Sequence, residues 1–165
     1  MAGKHAPQPE KTTDHIKVIA QNRRARFDFT IEEKLEAGLE LRGSEVKSLR
    51  EGNAVLSDAY GVPKGNELFL INCKITPYSH SGAYGHTDAV RSRKLLLHRN
   101  ELDHLAAKIT KGGYTLIPLS LYFKNGRAKV ELALCKGKTH GDRRQDIKAR
   151  EHARDIERGM RPRRK

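Results

Sequence analysis

Residues Tyr114–Lys136 read YTLIPLSLYFKNGRAKVELALCK and carry the clearest structural pattern in the chain. Two runs of alternating apolar residues flank the dipeptide Asn125-Gly126. Asn-Gly in this position is the strongest short-range indication of a β-hairpin, because both residues tolerate the positive φ that a type I′ turn requires. The folded part of the chain is therefore expected to end in a pair of long antiparallel strands.

A further long strand is predicted upstream of this hairpin. From Phe27 to Leu41, apolar residues occupy the odd positions except at Glu33, and polar residues occupy nearly all the even positions. Alternation with a period of two gives a strand one dry face and one wet face. We expect a single strand here, bent at Gly38.

Shorter strands are predicted between these two regions. The segments AVLSDAY and ELFLINCKI flank the turn formers Pro63, Gly65 and Asn66, which favours another hairpin. The stretch KLLLH, from Lys94 to His98, predicts a brief extended segment.

Two helices are also predicted. Ser44 is a candidate N-cap for a short helix that ends near Gly52. Asn100, with Asp103 at the capping-box position, predicts a longer helix that ends at Gly112-Gly113.

This order of elements predicts a mainly β chain. About six antiparallel strands must close or stack to hide their edges, and a small OB-fold-like barrel with two flanking helices fits them. A two-layer α+β sandwich is the alternative. We expect a disordered N-terminus at residues 1–15, the barrel at 16–135, and a basic C-terminal tail at 136–165.

Positive charge is concentrated in the tail. The chain has 33 Lys+Arg against 20 Asp+Glu, and residues 136–165 alone hold 12 basic and 5 acidic groups. Such a surplus attracts polyanions, of which nucleic acid is the commonest and an anionic membrane the alternative, whereas a purely solubilising charge is the simplest explanation. No secretory signal or membrane span is visible, so a cytoplasmic location is expected.

No catalytic or metal-binding motif is present. Cys73 and Cys135 have no zinc spacing and are expected to be free thiols, and no phosphate loop, nucleophile elbow or dinucleotide fingerprint occurs. The loop that contains His80, His86 and Asp88 leaves open an RNA-processing enzyme. We favour a non-enzymatic chain without cofactor or metal.

RNA is the favoured ligand. Basic residues precede the first long strand, lie on the short helix and follow the loop, and tyrosines at 78 and 84 add stacking surfaces. In the tail, Arg150, Arg154 and Arg158 would form one cationic stripe on a helix. Because the tail has too few apolar residues to dock, we expect it to be unfolded when free and to fold against a polyanion. A permanently disordered solubilising tail is the alternative.

Three blocks carry a family resemblance: NRRARFDFTIEEKLEAGLELRGSEVKSLREGNAVLSDAY, RSRKLLLHRNEL and KGKTHGDRRQDIKARE. In this order they resemble the small protein B family of SsrA-binding proteins. The resemblance implies an OB-like barrel, no enzymatic activity, and binding to the tRNA-like domain of transfer-messenger RNA (SsrA RNA). It implies delivery of the alanylated RNA, with elongation factor Tu and alanyl-tRNA synthetase as partners through the RNA, to the decoding centre and messenger channel of a stalled ribosome. We expect a monomer.

The resemblance also implies site residues. Glu36, Leu96 and His98 match family positions that face the RNA, and the whole expected RNA-binding set is Asn22, Arg24, Glu36, Lys47, Arg91, Arg93, Lys94, Leu96 and His98. The expected ribosome-binding tail, helical on the ribosome, comprises Lys136, Lys138, His140, Asp142, Arg143, Arg144, Lys148, Arg150, Arg154 and Arg158. The aromatic ring that family tails place directly before Asp-Lys-Arg is displaced here by one residue, to His140.

Overall fold

The computed structural model describes residues 15–78 and 88–160, which form nine strands and four helices. In chain order these are β1 (Ile16–Gln21), α1 (Ala25–Asp28), β2 (Phe29–Leu39), α2 (Gly43–Arg50), β3 (Ala54–Val55), β4 (Tyr60–Lys64), β5 (Glu67–Ile71), β6 (Lys74–Ile75), β7 (Arg93–Leu96), α3 (Arg99–Thr110), β8 (Thr115–Lys124), β9 (Arg127–Gly137) and α4 (His140–Met160).

The large sheet closes into a ring. Its strand order is β1-β8-β4-β5-β7-β2-β9, and β9 also pairs with β8, so the last strand joins the sheet back onto itself. Every pairing in it is antiparallel. The predicted mainly β class, with an antiparallel barrel and helices beside it, is confirmed. Strand β1 lies outside the ring, paired to β8.

The β8–β9 hairpin has the predicted turn. Asn125 and Gly126 have φ of 51° and 77°, the left-handed values that favour these two residues. The interior positions of the hairpin are apolar, and Leu121, Leu132 and Leu134 are completely buried. Each fully buried leucine contributes about 1.5–3 kcal/mol through removal of apolar surface from water. The hairpin therefore supplies both the closure and much of the barrel core.

Strand β2 differs from the single alternating strand that the sequence predicts. The chain forms one helical turn, α1, before the strand begins at Phe29. The pairing with β9 then shifts between Ile31 and Glu33. A β-bulge adds one residue to one strand and thereby reverses which face its side chains take. Consequently Phe29 and Ile31 pack in a second apolar cluster, whereas Leu35, Ala37 and Leu39 pack on the main core.

Both helix caps also differ from the predictions. Helix α2 begins at Gly43, not after a Ser44 cap, because the Glu45 carboxylate accepts a 2.7 Å hydrogen bond from the Arg42 backbone N–H. Helix α3 likewise begins one residue before Asn100: His98 is its N-cap, and the Glu101 carboxylate accepts the His98 N–H at 2.9 Å. In each case a glutamate three residues beyond the cap satisfies a backbone donor that the helix leaves unpaired.

The two flanking helices pack on the barrel core. Leu49 of α2 and Leu105 of α3 are completely buried there. Helix α4 is the longest, but neither it nor any other helix in the described residues has the apolar length that a bilayer crossing needs.

A buried ion pair joins α2 to β7. Glu45 and Arg93 are fully buried, and their oxygen and nitrogen atoms lie 2.9 Å apart. Arg93 also donates to the carbonyl oxygens of Cys73, Arg91 and Ala89. Burial acts to raise the pKa of Glu45, but the hydrogen bonds from Arg91 and the Arg42 backbone, together with the charges of Arg93 and Arg91, outweigh it and lower that pKa. The carboxylate is therefore ionised and fully partnered.

We expect Arg93→Met to lower the free energy of unfolding by about 3 kcal/mol, because it leaves the buried Glu45 carboxylate with fewer partners. Urea denaturation measures this change. Arg99→Met is the matched control, since Arg99 pairs with Asp103 on the surface and should cost under about 1 kcal/mol. Equal losses for the two variants would contradict a stabilising role for the buried pair.

Candidate nucleic-acid interface

A groove of about 1430 Å³ lies where β2, β7 and the start of α3 come together. Four of the nine expected RNA-binding residues line it: Glu36, Lys94, Leu96 and His98. Strand β7 alternates, so Leu95 points into the core while Leu96 is 51% exposed. Gly38 lies opposite Leu96, and a Cβ at that glycine would come within 3.1 Å of the Leu96 Cβ. The close approach of the two strands thus presents an apolar side chain in the groove.

Glu36 is held in a fixed orientation. Its carboxylate accepts a 2.6 Å hydrogen bond from the Tyr122 hydroxyl, and the ammonium groups of Lys124 and Lys129 lie 3.6 and 3.5 Å away. The Tyr122 hydrogen bond is the main cause of the lowered pKa of Glu36, and the two lysines lower it further. Burial and the same hydrogen bond raise the pKa of Tyr122. The groove therefore holds an ionised carboxylate that can accept from a base amino group or a ribose hydroxyl.

The lysines around the groove are paired with acids. Lys94 forms an ion pair with Glu67, and Lys108 lies 2.9 Å from Glu33. Each lysine pKa is raised, first of all by the hydrogen bond to its glutamate. Because acids offset the lysines, the groove is better suited to recognising shape and hydrogen-bonding groups than to attracting phosphate at long range.

Three other expected contact residues lie elsewhere on the surface. Arg24 is 79% exposed beside α1, where it donates to Asp28. Lys47 of α2 is exposed, with its ammonium 5.9 Å from the centre of the Tyr78 ring. Arg91 is partly exposed and pairs with Glu45 at 2.5 Å. The structure does not bring these residues into the groove.

Two expected contact residues are buried, and we no longer assign them direct contact with RNA. Arg93 has no exposed side-chain surface and completes the ion pair with Glu45. Asn22 is 7% exposed; its side chain donates to the Leu56 carbonyl oxygen at 3.2 Å and accepts the Ala25 N–H at 3.1 Å. Both side chains use their hydrogen-bonding groups inside the protein, so they position neighbouring elements.

The alternative enzymatic site is only partly within the described residues. His80 and His86 lie outside them. Asp88 accepts a 2.9 Å hydrogen bond from the Val90 N–H, as in a turn. Among residues 15–78 and 88–160, no group of three or more His, Cys, Asp and Glu side chains could hold a metal ion.

The expected tail residues fall into two groups: those near the end of β9 and the first turns of α4, which contact the rest of the protein, and those farther along α4, which are exposed. Lys136 belongs to β9, with its ammonium 3.2 Å from Glu32 and 4.5 Å from the centre of the Tyr114 ring. His140 begins α4, and its side chain lies outside the described part of the chain. Asp142 accepts hydrogen bonds from the backbone and hydroxyl of Thr139, which lower its pKa and cap the helix.

Farther along α4, the side chains become exposed to solvent. The Arg150 guanidinium lies 5.9 Å from the centre of the Phe27 ring, and residues 151–158 are all exposed. Ile147 and Ile156 are 41% and 50% exposed, so over residues 141–158 this helix has no fully buried apolar side chain. Of the other expected tail cations, Arg144, Lys148 and Arg154 are exposed, and Arg158 lies 3.7 Å from Asp155. Lys138 and Arg143 instead lie at the base of α4, where they contact α1. Whether α4 is unfolded in free solution stays a prediction.

Sequence reasoning missed the partners of the functional side chains. Tyr122 lies on the outer face of β8, which the alternation of apolar residues could have predicted. Nothing in the sequence, however, links Tyr122 to Glu36. Asp28 is one of the even-numbered polar residues of the predicted strand, but in the structure it is the last residue of α1 and contacts Arg24 and Arg143.

This chain is similar to known proteins over most of its length. The family model described as SmpB protein matches residues 19–162. The SsrA-binding protein of Myxococcus xanthus (strain DK1622) is 61% identical over 148 residues, which cover 90% of this chain and 91% of that protein. The SsrA-binding protein of Geobacillus thermodenitrificans (strain NG80-2) is 51% identical over 149 residues, covering 90% of this chain and 96% of the relative.

A solved structure is also similar. Its chain, described by the words "tmRNA-SmpB: a journey to the center of the bacterial ribosome", is 42% identical with a TM-score of 0.63, and the match covers 78% of this chain and 93% of that one. The resemblance seen in the three sequence blocks is thereby confirmed. The chain belongs to the SmpB (small protein B) family.

Proposed function

We propose that this protein binds the tRNA-like domain of transfer-messenger RNA (SsrA RNA) and delivers it to stalled ribosomes for trans-translation. The main support for this proposal is the groove lined by Glu36, Leu96 and His98. The chain is also 42% identical to a solved chain whose description names tmRNA-SmpB and the bacterial ribosome. Rescue of the ribosome and tagging of the nascent peptide for proteolysis follow from this delivery.

The barrel provides recognition of folded RNA. The Glu36 carboxylate is an oriented acceptor, Leu96 offers an apolar surface against a base or ribose, and His98 stands exposed at the start of α3. Such groups read exposed base edges and ribose hydroxyls, the features by which structured RNA is distinguished. Bound in this way, the barrel takes the place of the anticodon arm that the tRNA-like domain lacks.

The tail provides the contact with the ribosome. Its exposed arginines can neutralise phosphates of ribosomal RNA, with release of counterions. We place the tail in the empty messenger channel near the decoding centre, where its helix lies against RNA on several sides. The alanylated RNA brings elongation factor Tu and alanyl-tRNA synthetase as indirect partners. This role is one of binding by a monomer in the cytoplasm, and it requires no cofactor and no catalysis.

Glu36→Gln tests the groove. We expect it to weaken binding of the tRNA-like domain by about tenfold, because an ionised acceptor contributes on the order of 1.5–3 kcal/mol to a hydrogen bond. Fluorescence anisotropy with the tRNA-like domain and with a scrambled RNA of equal length measures this. Glu51→Gln, outside the groove, is the matched control and should bind as the wild type does. A protein that coats RNA only by charge would instead bind more tightly after loss of a negative charge.

Removal of the chain after Thr139 separates the two parts. The truncated protein keeps all of β9, so its affinity for the tRNA-like domain should stay within about threefold of the full chain. Tagging on ribosomes stalled at the end of a message should fall to background in a reconstituted translation assay. Loss of RNA binding together with tagging would refute a division between recognition by the barrel and ribosome contact by the tail.

Charge reversal of Arg150, Arg154 and Arg158 to Glu should have the effect of truncation on tagging. The reason is that three carboxylates would repel ribosomal phosphate instead of neutralising it. The matched control replaces the same three residues by Lys, which retains the positive charge and should preserve most of the activity. Tagging at the wild-type level with the glutamate variant would show that the stripe does not contact RNA.

A further inference from the structure

The connection between the barrel and the tail helix is short, and it is hydrogen-bonded to α1. Strand β9 ends at Gly137, and Thr139 already caps α4, with its hydroxyl 2.7 Å from the Asp142 carboxylate. Lys138 is therefore the only residue between the strand and the helix cap. A helix that follows a strand so closely takes its direction from the contacts of its first turns.

Those contacts are made with α1. The Lys138 N–H donates to the Asp28 carbonyl oxygen at 3.0 Å, and the Lys138 ammonium donates to the Arg26 carbonyl oxygen at 2.9 Å. The same ammonium lies 2.6 Å from the Asp146 carboxylate. Carbonyl oxygens at the end of a helix lack partners within it, and a lysine there is favoured. Lys138 thus bonds to α1 through its own backbone and, through its ammonium group, links the second turn of α4 to α1.

The side chain of Asp28 is shared between the barrel and the tail. It is only 17% exposed; one oxygen accepts from Arg24 Nε at 2.8 Å, and the other lies 3.7 Å from a terminal guanidinium nitrogen of Arg143. Arg143 Nε is buried and has no hydrogen-bond partner among the described residues. A guanidinium and a carboxylate make their strongest pair when two parallel hydrogen bonds form. While Arg24 occupies one oxygen of the Asp28 carboxylate, Asp28 and Arg143 therefore cannot form both parallel hydrogen bonds.

Arg24 is the partner that can leave. It is 79% exposed, and it is one of the basic residues expected to contact RNA. An RNA phosphate competes with a carboxylate for a guanidinium, since both accept paired hydrogen bonds from it. Binding of RNA by Arg24 would free the Asp28 carboxylate for Arg143.

We propose that Asp28 is a positioning residue that couples RNA binding by the barrel to the direction of the tail helix. In the free protein Asp28 pairs chiefly with Arg24. When Arg24 engages an RNA phosphate, Asp28 forms the paired hydrogen bonds with Arg143 and fixes the base of α4 against α1. The proposal rests on the proposed function, because it requires that the protein bind RNA and that the tail act afterwards on the ribosome.

The test uses the full chain with Asp28→Asn, a substitution that keeps the side-chain shape and removes the charge. Three quantities are measured: affinity for the tRNA-like domain, tagging on stalled ribosomes, and amide hydrogen exchange of residues 138–150 with and without that RNA. For the wild type we expect RNA to slow exchange in this segment by about tenfold. For Asp28→Asn we expect RNA affinity within threefold of wild type, no RNA-dependent slowing, and at least fivefold less tagging.

Two further variants keep the test decisive. Arg143→Gln removes the tail partner without altering α1 and should reproduce both losses, and Asp28→Glu should restore part of the RNA-dependent slowing. Asp103→Asn, an exposed carboxylate of α3, is the matched control and should behave as wild type.

The possible results distinguish failure of the coupling through Asp28 from failure of the proposed function. If Asp28→Asn loses tagging but keeps the RNA-dependent slowing, or keeps both, the coupling is refuted while the proposed function stands. If Asp28→Asn unfolds, Arg143→Gln decides by the same criteria. If the wild-type protein does not prefer the tRNA-like domain to scrambled RNA, the proposed function itself fails.

Discussion

The double pairing of β9 is the constraint on which the rest of the structure depends. This strand pairs with β2 on one side and with β8 on the other, and it thereby closes the sheet. Closure pairs both edges of β9, which would otherwise invite association with other chains. It also fixes three sites at once: Glu36 on β2 comes beside Tyr122 on β8, the bulge near Ile31 creates a second apolar cluster, and the end of β9 directs the tail toward α1.

Charge serves different purposes in the two parts of the molecule. In the groove, lysines lie beside glutamates, so the proposed recognition of RNA there depends on the position of individual donors and acceptors. In the outer part of the tail the cations are exposed and largely solvated. A neutralised groove disfavours indiscriminate attraction of RNA, whereas a solvated cationic helix gains most from a surface dense in phosphate. The same protein can thus combine selective binding of one RNA with broad contact to another.

The neighbouring basic residues Arg91, Arg93 and Lys94 show how far the candidate site could be predicted. The sequence presents them as one cationic group beside a loop. Because side chains alternate along β7, Arg93 points into the protein and Lys94 points out. Which face of β7 is buried is set by its neighbours β5 and β2, which the sequence of β7 alone does not reveal. Arg93 is stable inside because Glu45, distant in sequence, supplies a buried carboxylate and three backbone carbonyl oxygens accept its other hydrogen bonds. Sequence reasoning identified the segment and the charges, but it could not tell a ligand contact from a structural ion pair.

The amino-acid sequence by itself determined the elements whose signals are local. The Asn125-Gly126 turn, the wet face that carries Glu36, and the separation of a basic tail from an apolar barrel all follow from residues adjacent in the chain. Only the tertiary structure decided the helix caps of α2 and α3, the reversal of the apolar face at the bulge, the burial of Asn22, and the sharing of Asp28 between barrel and tail. Each of these depends on a partner chosen by packing, since a hydrogen bond or an ion pair forms with whichever group the closed barrel brings within reach.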